Sequence, residues 1–435
     1  HKKFINKGIV LKKRKKIFLE DTRYYVEDIR KNIVDKFGFD RVYKKGLNIK
    51  TPLNLSLQTI ATDALREGLI NYDKRKGWRG PLTNIENLKQ WNKDEILKKF
   101  KIEKSIGWEL AIVKKIDKFS VVIETENKIE GKINYENISW TKKDFQELFK
   151  LGDIIYVKKI NNNIYGLKQL PRVNGGIVVM DPFTGRVFAL SGGFSFKKSE
   201  FNRSTQALRQ PGSAFKPFIY ALALENNYSP STLVLDAPLV LEQGSDLKMW
   251  KPENYGKKFY GPSTLRKGIE YSRNLMTVRI AKTLGLDKIL NLSRKLEIYD
   301  DIPELLSVSL GAAETSLLNL TSAYAIFVNG GKKIKPNLIS RIQDRRGKTI
   351  FKLANKKCIG CDKFSNDSEV YPIIENQNER VLSEETAYQM TSILEGAVKR
   401  GTAKKLRDLK VPLAGKTGTT NKNYDGWFIG FSSNL

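Results

Sequence analysis

Apolar positions along the chain change their spacing twice, and the changes divide it into three textures. In EDTRYYVEDIRKNIVDKFG, Tyr25, Ile29, Ile33 and Phe37 recur at a helical period that stops at Gly38. GLNIKTPLN then reads as extended, and Leu57, Ile60, Ala61 and Leu65 return to helical spacing before a turn at Gly80-Pro81. From residue 82 to 172 short runs alternate apolar and polar residues, with turn signals at Asp117-Lys118 and Asn127-Lys128. This spacing predicts about five short antiparallel strands, enough for a small OB-like barrel.

The texture changes again at Asn174. NGGIVVMDPFTGRVFALSGG reads as a hairpin around Pro182 and Gly185. Helical runs are expected at 213–226, 263–270, 274–284, 313–328 and 384–399, with another hairpin at 338–353. The final VPLAGKTGTTNKNYDGWFIGFSSNL reads as two strands joined by a loop. Strands at both ends of a helical middle predict an α+β domain whose sheet is assembled from distant parts of the chain. The expected division is therefore 1–81, 82–172 and 173–435.

Composition narrows this picture only in part. With 435 residues, 40% of them hydrophobic, the chain can build a large core and is not expected to be disordered. No run of about 18 apolar residues exists to serve as a transmembrane helix. The first residues lack the apolar stretch of a signal peptide and a starting Met, so an upstream part is expected. The net charge of +30, from 77 Lys+Arg against 47 Asp+Glu, is spread along the chain except for KKRKK at 12–16. It fits a solvated surface as well as an anionic partner, and names no function. Trp108, Phe119, Tyr135 and Tyr156 of the barrel segment are read as core or girdle, so nucleic acid is not the expected partner. Cys358 and Cys361 admit a local disulfide, free thiols or half a metal site; the sole histidine, His1, is far away. No metal or cofactor is expected.

Three short constellations carry chemistry. In RQPGSAFKPF, Ser213 and Lys216 are spaced to share one helix face, and Pro217 is tolerated only in a first turn. Ser213 is therefore expected at a helix N-terminus, with Lys216 as its base if burial beside another cation lowers the amine's pKa. Ser272 and Asn274 of YSRNLM stand two apart on a loop; they fit a proton relay with an amide clamp, or a simple helix cap. In AGKTGTTN, Lys416 and Gly418 share one strand face, Thr417 and Thr419 the other. The glycine admits a close backbone, and the lysine and hydroxyls suit a carboxylate, although an ordinary strand end reads the same way.

All three in this order resemble the motifs of class A penicillin-binding proteins of the bacterial 1A type, with S-R-N where S-D-N is the commoner middle motif. FNRSTQALRQPGSAFKPFIYALALE, WKPENYGKKFYGPSTLRKGIEYSRNLMTVRIA, AYAIFVNGG, GAVKRGTA and AGKTGTTN extend the resemblance from about 174 to the end. The resemblance implies a β-lactamase-like serine transpeptidase domain, an antiparallel sheet flanked by helices, with the barrel as the OB-like insertion. It implies that Ser213 is acylated by the D-Ala-D-Ala end of a peptidoglycan stem peptide, with Lys216 as base and Ser272 as proton relay. Asn274 and Lys416 would tune that base. Backbone amides of Ser213 and Thr419 would form the oxyanion hole. Lys416, Thr417, Gly418 and Thr419 would hold the terminal carboxylate, and Trp250 and Asn254 the cleft rim. β-Lactams would be trapped as acyl-enzymes. A glycosyltransferase domain and membrane anchor would precede His1, a further strand and helix would follow Leu435, and the protein would work on the periplasmic side of the inner membrane. Regulators of cell-wall synthesis would meet the OB-like part. A β-lactam hydrolase and a non-enzymatic binding module are the competing readings; the first needs a water-activating carboxylate, and no E-x-x-x-N loop stands out between the second and third motifs.

Overall fold

The computed structural model describes residues 19–86, 91, 94–242, 249–353, 356–361, 373–376, 378–420 and 424–435; the basic run at 12–16 lies outside them. The chain falls into two compact units, one of residues 24–80, 139–143 and 169–435, the other of residues 19–23, 81–138 and 144–168.

Helix α1 (Arg23–Phe37) buries Tyr25, Ile29 and Ile33, as its apolar period predicts. A short α2 (Phe39–Tyr43) and strand β1 (Leu47–Lys50) lead to α3 (Leu55–Lys74). Asn54 caps α3 by accepting the Leu57 amide at 3.1 Å, satisfying one of the donors a helix start leaves free.

The smaller unit carries β2 (Thr83–Asn84), α4 (Asp94–Phe100), β3 (Glu109–Ile116), β4 (Ser120–Thr125), β5 (Glu130–Asn134), α5 (Phe145–Leu148), β6 (Asp153–Lys159) and β7 (Tyr165–Lys168). The strands pair antiparallel in the order β2-β6-β3-β4-β5, with β7 also on β6. The Lys132 amide donates to the Asn163 carbonyl at 2.7 Å, linking β5 to the approach to β7 and curling the sheet into an OB-like barrel. Of the four aromatics read as core or girdle, Trp108 and Tyr156 are buried, whereas Phe119 is 76% and Tyr135 51% exposed. Phe119 sits in the turn between β3 and β4, and Tyr135, in a 3-10 turn after β5, packs edge-on against the buried Phe145 ring.

The larger unit resumes with β8 (Ile177–Met180) and β9 (Val187–Ser191), the expected hairpin. Then come α6 (Lys216–Glu225), β10 (Leu233–Asp236), β11 (Gly261–Thr264), α7 (Leu265–Glu270), α8 (Asn274–Leu284), α9 (Leu286–Lys295) and α10 (Leu317–Val328). The chain ends with β12 (Arg341–Asp344), β13 (Thr349–Lys352), β14 (Lys356–Ile359), β15 (Ile373–Asn376), α11 (Glu384–Lys399), β16 (Ala414–Thr419) and β17 (Gly426–Phe431). Strand β1 pairs with β12 and β12 with β13, so one sheet does join distant segments; β8–β9, β10–β11, β14–β15 and β16–β17 are antiparallel pairs.

Three expected helices shift. The run at 263–270 starts as strand, because β11 pairs with β10. The run at 313–328 becomes helical only at Leu317, where Ser316 accepts the Asn319 amide. The run from 213 begins as a 3-10 turn, Gly212–Ala214. Helix α9 was not expected; Gly285 at φ +89° separates it from α8.

Helix α6 is apolar nearly all round and lies at the centre of the core. Phe215, Phe218 and Ile219 pack there with residues of α8, α9, α10 and α11 and with Ala414, Ile429 and Phe431 of the last strand pair. A second core joins Tyr25, Ile29 and Ile33 of α1 to Met180, Val187 and Leu190. Buried Gln58 of α3 serves the backbone of β9 as a neighbouring strand would. It donates to the Leu190 carbonyl at 3.0 Å and accepts the Leu190 amide at 2.9 Å. Buried Asp73 takes both guanidinium nitrogens of Arg79 at 2.9 Å and also accepts from Gln169 and the Arg172 amide. These bonds hold residue 79 beside residues 169–172. Cys358 and Cys361 are joined as a disulfide at the end of β14. Among the described residues no helix is long and apolar enough to cross a membrane.

Candidate active site

Ser213 lies in the 3-10 turn that runs into α6, its side chain part-exposed to a cleft of about 840 Å³. The turn is held by close backbone packing. A Cβ on Gly311 would meet the Gly212 carbonyl oxygen at 2.2 Å, and the Gly212 amide donates to the Gly311 carbonyl at 3.2 Å. From the core side, the Tyr324 hydroxyl donates to the Ala214 carbonyl. Strand β16 lies against the same turn: a Cβ on Gly418 would stand 2.3 Å from the Pro211 carbonyl oxygen and 3.0 Å from the Ala214 Cβ. Gly418, expected to help bind substrate, is the close-approach glycine that seats the third motif on the first.

Lys216 is wholly buried at the first position of α6. Its Nζ donates to the Asn274 Oδ1 at 2.6 Å and the Ser272 carbonyl at 2.7 Å, with Ser272 Oγ at 3.3 Å. Among the described residues no hydrogen bond joins it to Ser213. Lys416, equally buried, donates from Nζ to Ser272 Oγ at 2.9 Å and to the Thr417 carbonyl at 2.9 Å. Ser272 Oγ is thus bracketed by two amines. Its φ of +57° is the left-handed conformation that non-glycine residues seldom adopt, the kind of backbone strain that collects at functional sites. The hydrogen bonds from both lysines hold it there.

Electrostatics follow from this burial. Burial pushes the Lys216 amine well below its ordinary range, and the neighbouring Lys416 lowers it further, while the charge of Asp236 opposes both. Burial likewise brings Lys416 down to about 7. Two lysines that would both be firmly held cations on the surface are thus both made readier to give up a proton.

The second motif is fastened from behind. The Asn274 side-chain amide donates to the Glu253 carbonyl at 2.6 Å. The Asn274 amide donates at 2.8 Å, and the Leu275 amide at 3.4 Å, to the Asn254 side-chain oxygen. Asn254 was expected on the cleft rim; it borders the cleft but is only 6% exposed, and its polar atoms face inward as the cap of α8. Its amide nitrogen donates to Asp236 Oδ1 at 2.7 Å. Trp250, Thr417 and Thr419 do line the cleft, together with Tyr255, Tyr271, Leu310 and Thr402.

The sequence reading had no place for Asp236 or Gly311, and assigned no role to Tyr324 or Thr402, which lie in its runs AYAIFVNGG and GAVKRGTA. Thr402 Oγ1 bonds Thr417 Oγ1 at 2.9 Å, and its amide donates to the carbonyl of Glu270. Glu270 is buried and takes Arg400 through both carboxylate oxygens, at 3.0 and 2.5 Å. Asp236 and Gly311 sit far along the chain from the motifs they support.

This geometry can be set beside known proteins. A model of the penicillin-binding protein transpeptidase domain matches residues 175–434, and one of the penicillin-binding protein OB-like domain matches residues 78–173. Penicillin-binding protein 1A of Rickettsia prowazekii is 39% identical over the whole of this chain, which covers 56% of that protein. The protein of the same name from Pseudomonas aeruginosa is 32% identical over 94% of the chain and 55% of its own length. The chain thus spans a little over half the length of these curated relatives. The crystal structure of penicillin-binding protein 1A from Haemophilus influenzae superposes with a TM-score of 0.83 at 31% identity, covering 99% of this chain and 67% of that one. With Ser213, Ser272 and Asn274 at one cleft, Lys216 and Lys416 bonded behind them, and more than half its length matched by the transpeptidase model, the chain belongs to the penicillin-binding protein transpeptidase family.

Proposed function

We propose that this chain is the serine D,D-transpeptidase part of a peptidoglycan synthase, divided as 1–81, 82–172 and 173–435. The observation that carries this reading is Ser272 Oγ between the two buried amines of Lys216 and Lys416, beside Ser213. The D-Ala-D-Ala end of a stem peptide enters the cleft. The Ser213 hydroxyl adds to the penultimate carbonyl carbon as its proton passes to the neutral Lys216 amine. The oxyanion meets the backbone amides of Ser213 and Thr419. Lys416, Thr417 and Thr419 face the terminal carboxylate. As the C–N bond breaks, the proton returns through Ser272 to the leaving D-alanine nitrogen, and an ester remains on Ser213. The amine of a neighbouring stem peptide then attacks that ester, restoring the serine hydroxyl and forming the cross-link.

β-Lactams present the same carbonyl but keep their leaving group tethered, and stop at the ester. The intact protein is proposed to carry an N-terminal glycosyltransferase and a membrane anchor upstream and to act on the periplasmic side. Its OB-like part is proposed to meet regulators of wall synthesis; nucleic acid is no part of the proposal. The test is intact-protein mass spectrometry after incubation with a penicillin, for the wild type and Ser213→Ala. A lasting mass gain in the wild type alone is the expected result. Rapid turnover of the penicillin would make the protein a hydrolase, and no gain in a folded sample would overturn the reading.

A further inference from the structure

Asp236, the last residue of β10, is completely buried, and only one of its carboxylate oxygens is hydrogen-bonded. Oδ1 accepts from Asn254 at 2.7 Å; among the described residues Oδ2 has no hydrogen bond, and Arg273 Nε stands 3.9 Å from it. A buried carboxylate left half satisfied is costly, so its place beside the second motif needs an explanation beyond packing. Arg273 is the middle residue of S-R-N. Its guanidinium lies over the Tyr260 ring, 3.2 Å from the centroid, with its Nε 3.9 Å from Asp236 Oδ2. Asn254, oriented by Asp236, accepts the first two amides of α8 and so sets where Asn274 Oδ1 meets Lys216.

We propose that Asp236 is a positioning residue for acylation: through Asn254 it fixes Asn274 against Lys216, and its charge, shared with Arg273, sets how readily Lys216 gives up its proton. This rests on the transpeptidase reading above. The other groups around Lys216 are few. Lys416 of β16 is its cationic neighbour. Tyr220 on α6 itself is kept neutral by burial. Glu270 of α7 is taken by Arg400 and approached by Arg266. On α8, Arg279 donates to the Ala237 and Pro238 carbonyls just after Asp236, and Lys282 is exposed. The buried residues of α9 and α11 carry no charge, and the 3-10 turn Leu306–Leu310 has none. Asp236 is therefore the anion that faces Lys216 from outside the three motifs, with Arg273 beside it.

The test compares penicillin acylation rates across pH for wild type, Asp236→Asn and Arg273→Gln. Asparagine keeps an acceptor for Asn254 and removes the charge. Without the anion the Lys216 ammonium is less favoured, so the acid limb of the rate profile moves to lower pH. Removing the cation of Arg273 acts oppositely, and the limb moves to higher pH. At saturating penicillin the shift resides in the acylation rate constant, with initial binding unchanged. Opposite shifts support the proposal. Limbs that coincide with wild type in folded variants would overturn it, as would a change confined to thermal stability. If Asp236→Asn does not fold, Arg273→Gln alone decides by the direction of its limb. Absence of any wild-type adduct on Ser213 would mean instead that the transpeptidase reading itself had failed.

Discussion

Replacing Gly418 by alanine adds one methyl group at the contact that joins the third motif to the first. Its carbon would lie 2.3 Å from the Pro211 carbonyl oxygen, 3.0 Å from the Ala214 Cβ and 3.0 Å from the Trp427 Cβ. A carbon needs about 3.3 Å from a carbonyl oxygen, so strand and turn must separate by about 1 Å. The nearest obstacle is backbone, and no rotamer can relieve it. Overpacking of this kind costs about 1–3 kcal/mol. The larger effect is on chemistry, because β16 carries Lys416 and the turn carries Ser213. A displacement of about 1 Å between reacting groups costs on the order of a hundredfold in rate. The expected outcome is a folded protein, modestly less stable to denaturant, whose acylation by a fluorescent penicillin is slower by about that factor. A Gly418→Ala protein acylating at the wild-type rate would refute the argument that this contact sets the geometry.

Other consequences are open to simpler assays. Lys416 titrates near 7 in the folded protein against an ordinary 10.5. Between these values the unfolded chain binds the extra proton, so stability rises with pH, by up to about 1.4 kcal/mol per unit, and no longer changes on this account below 7. Denaturant unfolding at several pH values should show a slope that Lys416→Met reduces; equal slopes would contradict the burial argument. Arg400→Ala leaves the Glu270 carboxylate, 2% exposed, with only Arg266 at 3.8 Å. That should cost about 3 kcal/mol in urea unfolding, and an unchanged midpoint would show the pair to be idle.

Local pattern and tertiary contact divided the work unevenly. The period of Tyr25, Ile29 and Ile33 places α1, and the alternation in SVVIET places β4, because each element buries one face. Pro217 likewise puts Ser213 at the start of α6, since a proline ring is accepted only in a first turn. Helix α9 escaped because it follows α8 with a single glycine between them, so the apolar pattern shows no break. The strand character of 261–264 depends on β10, about 28 residues earlier, and no local signal carries that pairing.

At the site, the sequence alone picked out the three short motifs whose side chains the fold brings together, and placed Ser213 and Lys216 within one turn of each other. Only the tertiary structure decided what they do to each other. Lys216 turns its amine to Ser272 and Asn274, 56 and 58 residues away, and Lys416 reaches Ser272 across 144. The lowered pKa of both lysines comes from burial, which exists only once α6, α8 and β16 have packed. Asp236 was invisible for the same reason: an aspartate at a strand end looks like any surface carboxylate until the chain closes over it. Charge and reactivity here are properties of enclosure, and enclosure is made by contacts between segments that the one-dimensional pattern leaves apart.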